Sequence, residues 1–330
     1  MTQEVSAPAV FALRLRTQHL LKRLPRHSIV AASFGGLQDS APRSAVTSLH
    51  ARTHEVEPND WDHPDLVQVW GPREAVYVVP KADRAVFTLG RLPRAPDAQV
   101  KLERILDRAR RVVGAGPHRI RDIANVLGRD HALRLRWASP SGCIDIRWDT
   151  TDTIVRLIAP AAIDPEPARQ ELARRFLHWH GPASSDDFAK WAGIEAADSR
   201  TTFRAIDGEL RTVIWRGKKA AILARDADLL EPVAVSGARL LPANDPYSWP
   251  HRGLLVHDPK LRRRLSLPGF SAILIHGQIA GSCTRRGPAF GLQLEPSVSA
   301  SMRSEIEAEA MSMPLAGAPS SRTVTWTDGQ

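Results

Sequence analysis

The chain has 330 residues, 43% of them hydrophobic and 25% charged, which allows two or three modules with cores of their own. No apolar run approaches the ~20 residues of a membrane span, and Met1 to Val10 carries Glu4 and no basic stretch of the kind a secretory signal needs. No membrane partner is expected, and the chain is expected to be a cytoplasmic, nucleoid-associated monomer. The net charge of +9 is mostly arginine. It points to a polyanion, since each phosphate neutralised releases counterions and the planar guanidinium grips phosphate well. A composition biased toward Arg, Ala and Pro would give the same excess, so charge alone leaves both readings open.

The N-terminal third reads as a basic helix over Leu13–Leu24, a second helix over Ser28–Leu37 ending at Gly35-Gly36, and a third over Pro42–Ala51 with its proline in the first turn. A hairpin follows over Val67–Val79 around Gly71-Pro72-Arg73. Next come a basic amphipathic helix over Val100–Val113, a helix pair at His118–Leu127 and Arg129–Trp137, and a hairpin of Cys143–Trp148 with Thr153–Ile158 around the acidic turn Asp149–Asp152. The clearest copy begins with Ala168–His180, where Leu172, Phe176, Leu177 and Trp179 recur at helical spacing before Gly181-Pro182 stops the helix. Ser184–Gly193 opens on a serine and early aspartates, a helix start. A third helix covers Asp198–Ile206, and the strands Glu209–Trp215 and Ala220–Ala224 flank the turn Arg216-Gly217-Lys218-Lys219. Beyond Pro232 the chain is strand-rich, at Val233–Val235, Arg239–Leu241, Ala272–His276 and Gln278–Ala280, then an acidic helix over 297–312 and a Pro/Ser/Gly-rich stretch at 314–322.

Three helices followed by a hairpin is the winged-helix plan. The expectation is an α+β fold of tandem winged-helix (helix-turn-helix plus β-hairpin) units at about residues 10–95, 98–160 and 167–225, with a β-rich subdomain at 232–330. In such a unit the third helix can enter a major groove and the hairpin can touch phosphate. Arg200 and Arg204 on the third helix, with Lys218 and Lys219 at the basic turn, are DNA-contact candidates in the last unit. In the middle unit the hairpin is acidic, so Arg134 and Arg136 on Arg129–Trp137 are the better candidates. The competing reading is a structural helix-turn-helix whose hairpin touches nothing.

Other constellations point to structure. His178 and His180 are two apart and share no helix face, with no third ligand nearby. Cys143 and Cys283 have no CxxC partner and read as small buried apolar residues. Asn244-Asp245-Pro246-Tyr247 reads as a turn at a strand end, and Gly114-Ala115-Gly116 as a connector. Neither metal nor organic cofactor is expected.

A set of strings in order carries a resemblance: Phe34-Gly35-Gly36-Leu37-Gln38 with Pro42; Val69-Trp70-Gly71-Pro72-Arg73 leading to Val79-Pro80; His180-Gly181-Pro182-Ala183 with Trp191-Ala192-Gly193; Leu240-Leu241-Pro242-Ala243-Asn244-Asp245-Pro246-Tyr247; and His276-Gly277-Gln278-Ile279-Ala280-Gly281 before Arg285-Arg286. Together they resemble the AlkZ-type family of winged-helix DNA glycosylases over roughly residues 13–330. The resemblance implies three winged helices around duplex DNA, a cofactor-free hydrolysis of the N-glycosidic bond of alkylated or cross-linked purines, and double-stranded, damaged or distorted DNA as partner. It also implies a water-holding Gln-x-Gln or Gln-x-Asp motif before the Pro42 helix, and a minor-groove hairpin with a His-x-x-Pro motif. Arg43, Arg73, Arg285 and Arg286 then join the DNA-contact candidates.

The sequence departs from the family at both motifs. The first reads Gln38-Asp39-Ser40, so Gln38 is kept and Ser40 replaces the second polar residue. The second reads Tyr77-Val78-Val79-Pro80 after Arg73-Glu74-Ala75. Asp39 is the strongest general base available, yet in an extended segment it points opposite to residues 38 and 40. Tyr77 can stack at a disturbed base step or lie half-buried in its strand. Two functions stay open: an AlkZ-like glycosylase using Gln38, Asp39 and Ser40, or a non-catalytic DNA-binding or transcription-regulatory protein that has lost the catalytic pair.

Overall fold

The computed structural model describes residues 3–114, 116–267, 269–294, 298–315 and 322–327. The fold is α+β. The chain divides into two compact units, one of Gln3, Phe34–Gly36 and Pro64–Arg225, the other of Glu4–Ser33, Leu37–His63 and Asp226 onward.

The first unit is organised by a hairpin, Leu66–Trp70 with Val76–Pro80. Its apolar residues run on almost without alternation, as in strands covered on both faces. Val67, Val69, Tyr77 and Val79 meet one core, with Phe87, Leu172, Phe176, Phe188 and Trp191. Trp70 and Val76, which pair across the strands, meet a second core with Leu102, Leu106, Ile123, Leu135, Ile144 and Val155. Each such side chain stabilises the fold by about 1.5–3 kcal/mol.

The second core is covered by helices Pro96–Arg110, Ile120–Leu127 and Arg129–Ala138 and the hairpin of Ile144–Trp148 with Thr153–Leu157. The first is covered by helices Pro165–His180, Ser185–Ala192 and Ala196–Ala205 and the hairpin of Leu210–Trp215 with Lys218–Leu223. Local chemistry sets these boundaries. Ser184 and Asp187 form a reciprocal capping box, and Gly193 takes the left-handed conformation at φ 69° beyond the helix end. Arg216 and Gly217 both have positive φ, 54° and 70°, which matches a two-residue loop to the strand twist.

The second unit pairs strands in the order Thr323–Thr327, Ala289–Leu294, Gln278–Arg286, Phe270–Ile275, Ala238–Pro242. Helix Ala300–Ser312 buries Ile306 and Ala310 against Leu240, Ile273 and Leu292 of this sheet. Helices Ala7–Thr17 and Ser44–Arg52 belong to the same unit.

Several expectations are corrected. The first helix is Ala7–Thr17 and not Leu13–Leu24, because Ser6 caps it with Pro8 in its first turn, and His19 turns to φ 56° just after its end. The segment expected as helix Ser28–Leu37 is helical only over Ile29–Ala32, and Leu37–Gln38 is extended. Ser33 closes the helix, its Oγ donating to the Ile29 and Val30 carbonyls at 3.0 Å; beyond it a Cβ at Gly35 would lie 2.3 Å from the Trp179 ring, and Gly36 sits at φ 82°. Val233–Val235 forms no strand. The stretch at 314–322 falls largely outside the described residues, as do 297 and Ala115.

Candidate functional site

Gln38 ends the strand Leu37–Gln38, Asp39 follows it and Ser40 lies at a bend, just before helix Ser44–Arg52. Burial splits the three residues into two sides. Gln38 is half-buried and Ser40 exposed, and Gln38 Nε2 donates to Ser40 Oγ at 3.0 Å. Asp39 is fully buried. Its Oδ1 accepts from the Ala45 backbone N–H at 3.0 Å, and its Oδ2 accepts from Arg43 Nη1 at 3.3 Å. The carboxylate thus satisfies an orphan donor at a positive helix end. Ser44 Oγ donates to the Gln38 carbonyl oxygen at 2.7 Å. Arg43 bends at φ 61°, and its guanidinium lies 3.6 Å from the centroid of the Trp61 ring. Arg43, expected as a DNA contact, also braces the loop, and its side chain is 24% exposed.

That helix is anchored by a buried pair. Arg52 donates to both carboxylate oxygens of Asp245 at 2.8 and 2.9 Å, and Ser48 Oγ donates to Oδ2 at 2.7 Å. Arg52 and Asp245 are both 0% exposed, so attraction and hydrogen bonds must offset a large desolvation cost. Asp245 Oδ1 also accepts from the Tyr247 N–H at 2.9 Å. In the sequence Asp245 reads as part of a turn, and Arg52 stands outside every motif.

Two candidates in the first unit are corrected. Tyr77 is 4% exposed and packed in the core, and burial pushes its phenol pKa up, so its ring is not presented for stacking. The Gly71-Pro72-Arg73 tip does not project freely either. Pro72 is buried and Arg73 half-buried, and Arg91 beside it donates to the carbonyls of Trp70 and Ala192 at 3.1 and 2.8 Å. Arg91 is 3% exposed, and burial pulls its pKa down to about 10, which leaves it charged at neutral pH. Arg136 is half-buried, 5.8 Å from the Trp70 ring centroid.

The other candidates face outward. Arg134, Arg200, Arg204, Lys218, Lys219, Arg285 and Arg286 are all exposed. Arg200 and Arg204 lie one turn apart on helix Ala196–Ala205, and Lys218 and Lys219 follow the turn of the hairpin next in sequence. Arg285 and Arg286 end the strand Gln278–Arg286 in the second unit. His178 packs edge-on to Phe34, whereas His180 lies against Phe176 and Trp191. Among the described residues no cluster of three or more His, Cys, Asp or Glu could hold a metal. Cys143 and Cys283 are buried free thiols. No helix among the described residues is long and apolar enough to cross a membrane.

A family model described as DNA glycosylase AlkZ-like matches residues 31–314. The chain belongs to the AlkZ-like DNA glycosylase family. Its partner is therefore DNA. The solved structure of Streptomyces sahachiroi DNA glycosylase AlkZ is similar at a TM-score of 0.77, covering 98% of this chain and 100% of that one at 16% identity. At that identity the likeness speaks to the fold. No curated protein matches the sequence. Within this AlkZ-like chain, Gln38 and Ser40 are the pair turned away from the buried side of the motif segment.

Proposed function

We propose that this AlkZ-like chain is a monofunctional DNA glycosylase that hydrolyses the N-glycosidic bond of cationic alkylated purines, with Gln38 and Ser40 holding the attacking water. The observation that carries the reading is the 3.0 Å contact between Gln38, at the end of its strand, and Ser40, at the bend that follows, with Asp39 turned inward. An N7- or N3-alkylated purine leaves as a neutral base, so bond breaking runs ahead of attack and the sugar becomes oxocarbenium-like. The site then needs to position a water and stabilise positive charge, which two polar side chains can do without a strong base. Ser40 is shorter than glutamine and holds a water less firmly. A neutral lesion would need protonation of its leaving group, and no side chain described at this motif is placed to supply it.

DNA is held in this reading by winged-helix units at 98–160 and 167–225, a first unit at 10–95, and the β-rich subdomain at 232–330. The exposed Arg200 and Arg204, with Lys218 and Lys219 on the neighbouring hairpin, support a recognition helix and its wing. Arg134, Arg285 and Arg286 supply further phosphate contacts.

The test is release of free base from N7-methylated duplex above the spontaneous background. Gln38→Ala lowers the rate, and Ser40→Gln raises it by up to ~10²–10³, the usual worth of one well-oriented polar group. Background release by both wild type and Ser40→Gln, with duplex binding intact, refutes catalysis. The alternative of a non-catalytic DNA-binding protein, favoured by the short Ser40, then stands.

A further inference from the structure

A groove of about 330 Å3 lies in the first unit between helix Pro96–Arg110 and helix Arg129–Ala138. One wall carries Lys101, Arg104 and Arg108, spaced three and four apart and so on one helix face. The other carries Arg134 and Trp137. Trp137 is 57% exposed, and Leu133 and Val126 near it are 45% and 69% exposed. The Arg134 guanidinium lies 5.9 Å from the Trp137 ring centroid. No acidic side chain is among the lining residues described. On the same helix Asp107 and Glu103 turn to Arg110, at 2.7 and 3.4 Å, and Asp97 lies 3.6 Å from Lys101 at the end of the groove wall. An exposed indole beside a cation, on a groove also lined by Ile105, Leu127 and Leu135, offers a flat apolar face with charge at its edge.

We propose that this groove binds a single-stranded or unstacked segment of DNA, one base stacking on Trp137 and the flanking phosphates meeting Arg104, Arg108, Lys101 and Arg134. The inference rests on the chain being a DNA-binding protein and adds a second site distinct from Gln38 and Ser40. The size of the groove favours a nucleotide over a duplex: it falls at the small end of the ~300–1,000 Å3 of ligand pockets, and bases within a duplex already have both faces stacked. An indole face combined with a cationic rim is the pattern that holds single strands without reading sequence. An acidic peptide would use the cations alone and leave the flat ring without a matched partner.

The experiment measures binding of the full chain by fluorescence anisotropy to labelled oligothymidine, to the same strand made of abasic units, and to a blunt duplex. Wild type binds oligothymidine more tightly than the abasic strand. Trp137→Ala weakens oligothymidine binding ~5- to 150-fold, the range for losing one stacked base. Trp137→Phe largely keeps it, and duplex binding stays unchanged in both. Arg104→Ala reduces the log–log salt slope for oligothymidine by ~0.7, one phosphate on a single strand. Trp137 is exposed, so its replacement leaves the fold intact, and an unaltered circular dichroism spectrum checks this. Equal wild-type affinity for the oligothymidine and abasic strands, with duplex binding retained, overturns this site alone. So does an equal loss of duplex and single-strand binding in Trp137→Ala. Competition by polyglutamate as effective as by oligothymidine overturns it in favour of an acidic peptide. Failure of wild type to bind any of the three DNAs overturns the DNA-binding reading itself.

Discussion

Replacing Asp39 by asparagine separates a brace from a base. Asparagine keeps an acceptor for the Ala45 N–H but removes the negative charge. The lost interaction with the helix end is worth ~0.3–1 kcal/mol. The lost pair with Arg43, whose side chain is 24% exposed, adds at most ~1 kcal/mol after solvent screening. Against this, a neutral side chain no longer has to be stripped of water in a fully buried place. The net expectation is a loss of about 1 kcal/mol, seen as a drop of ~2–4 °C in Tm. Base release from N7-methylated duplex stays within a few-fold of wild type, because Gln38 and Ser40 keep their side of the segment. A general base removed from its post would cost ~10²–10⁴ in rate. A loss of that size with Tm unmoved refutes the bracing account and makes Asp39 the base.

Two more perturbations test the frame behind the site. Asp245→Ala leaves Arg52 charged and buried and should destabilise the second unit by ~3–5 kcal/mol, read by denaturant unfolding; Arg52→Met with Asp245→Ala should recover part of that, and strictly additive losses would show the pair uncoupled. His50 is 6% exposed, and burial, with the nearby Arg23 and Arg239 cations, pulls its pKa down to about 3. Because the unfolded chain takes up the proton first, its contribution is complete above pH ~6.5 and is lost as pH falls toward 3. That amounts to ~2 kcal/mol between pH 7.5 and pH 5. His50→Gln should flatten this slope, and an unchanged slope counts against the assignment.

Much of the fold was legible where local chemistry and periodicity agree. The helices around Leu172 to Ile206 have a capping box, a left-handed glycine and regular apolar spacing, and the expected elements match those observed to within a few residues. The hairpins were legible from their turns. The first 40 residues were less so: the room for only a glycine at Gly35 is set by Trp179, far along the chain. The choice between stacking and burial for Tyr77 was open in the sequence, because the wall that covers it comes from Phe87 and helix Pro165–His180, which no local pattern announces. At the motif the opposite facing of Asp39 and its two neighbours was legible, but the partners of Asp39 and the Arg52–Asp245 pair depend on tertiary contact.

The two-sidedness of residues 38–40 also bears on how such a site can change over time. The atoms that fix the segment belong to Asp39, Ser44 and the backbone of Ala45, whereas the outward side belongs to Gln38 and Ser40. Substitutions on the outward side leave the fixing contacts in place and so incur little folding penalty.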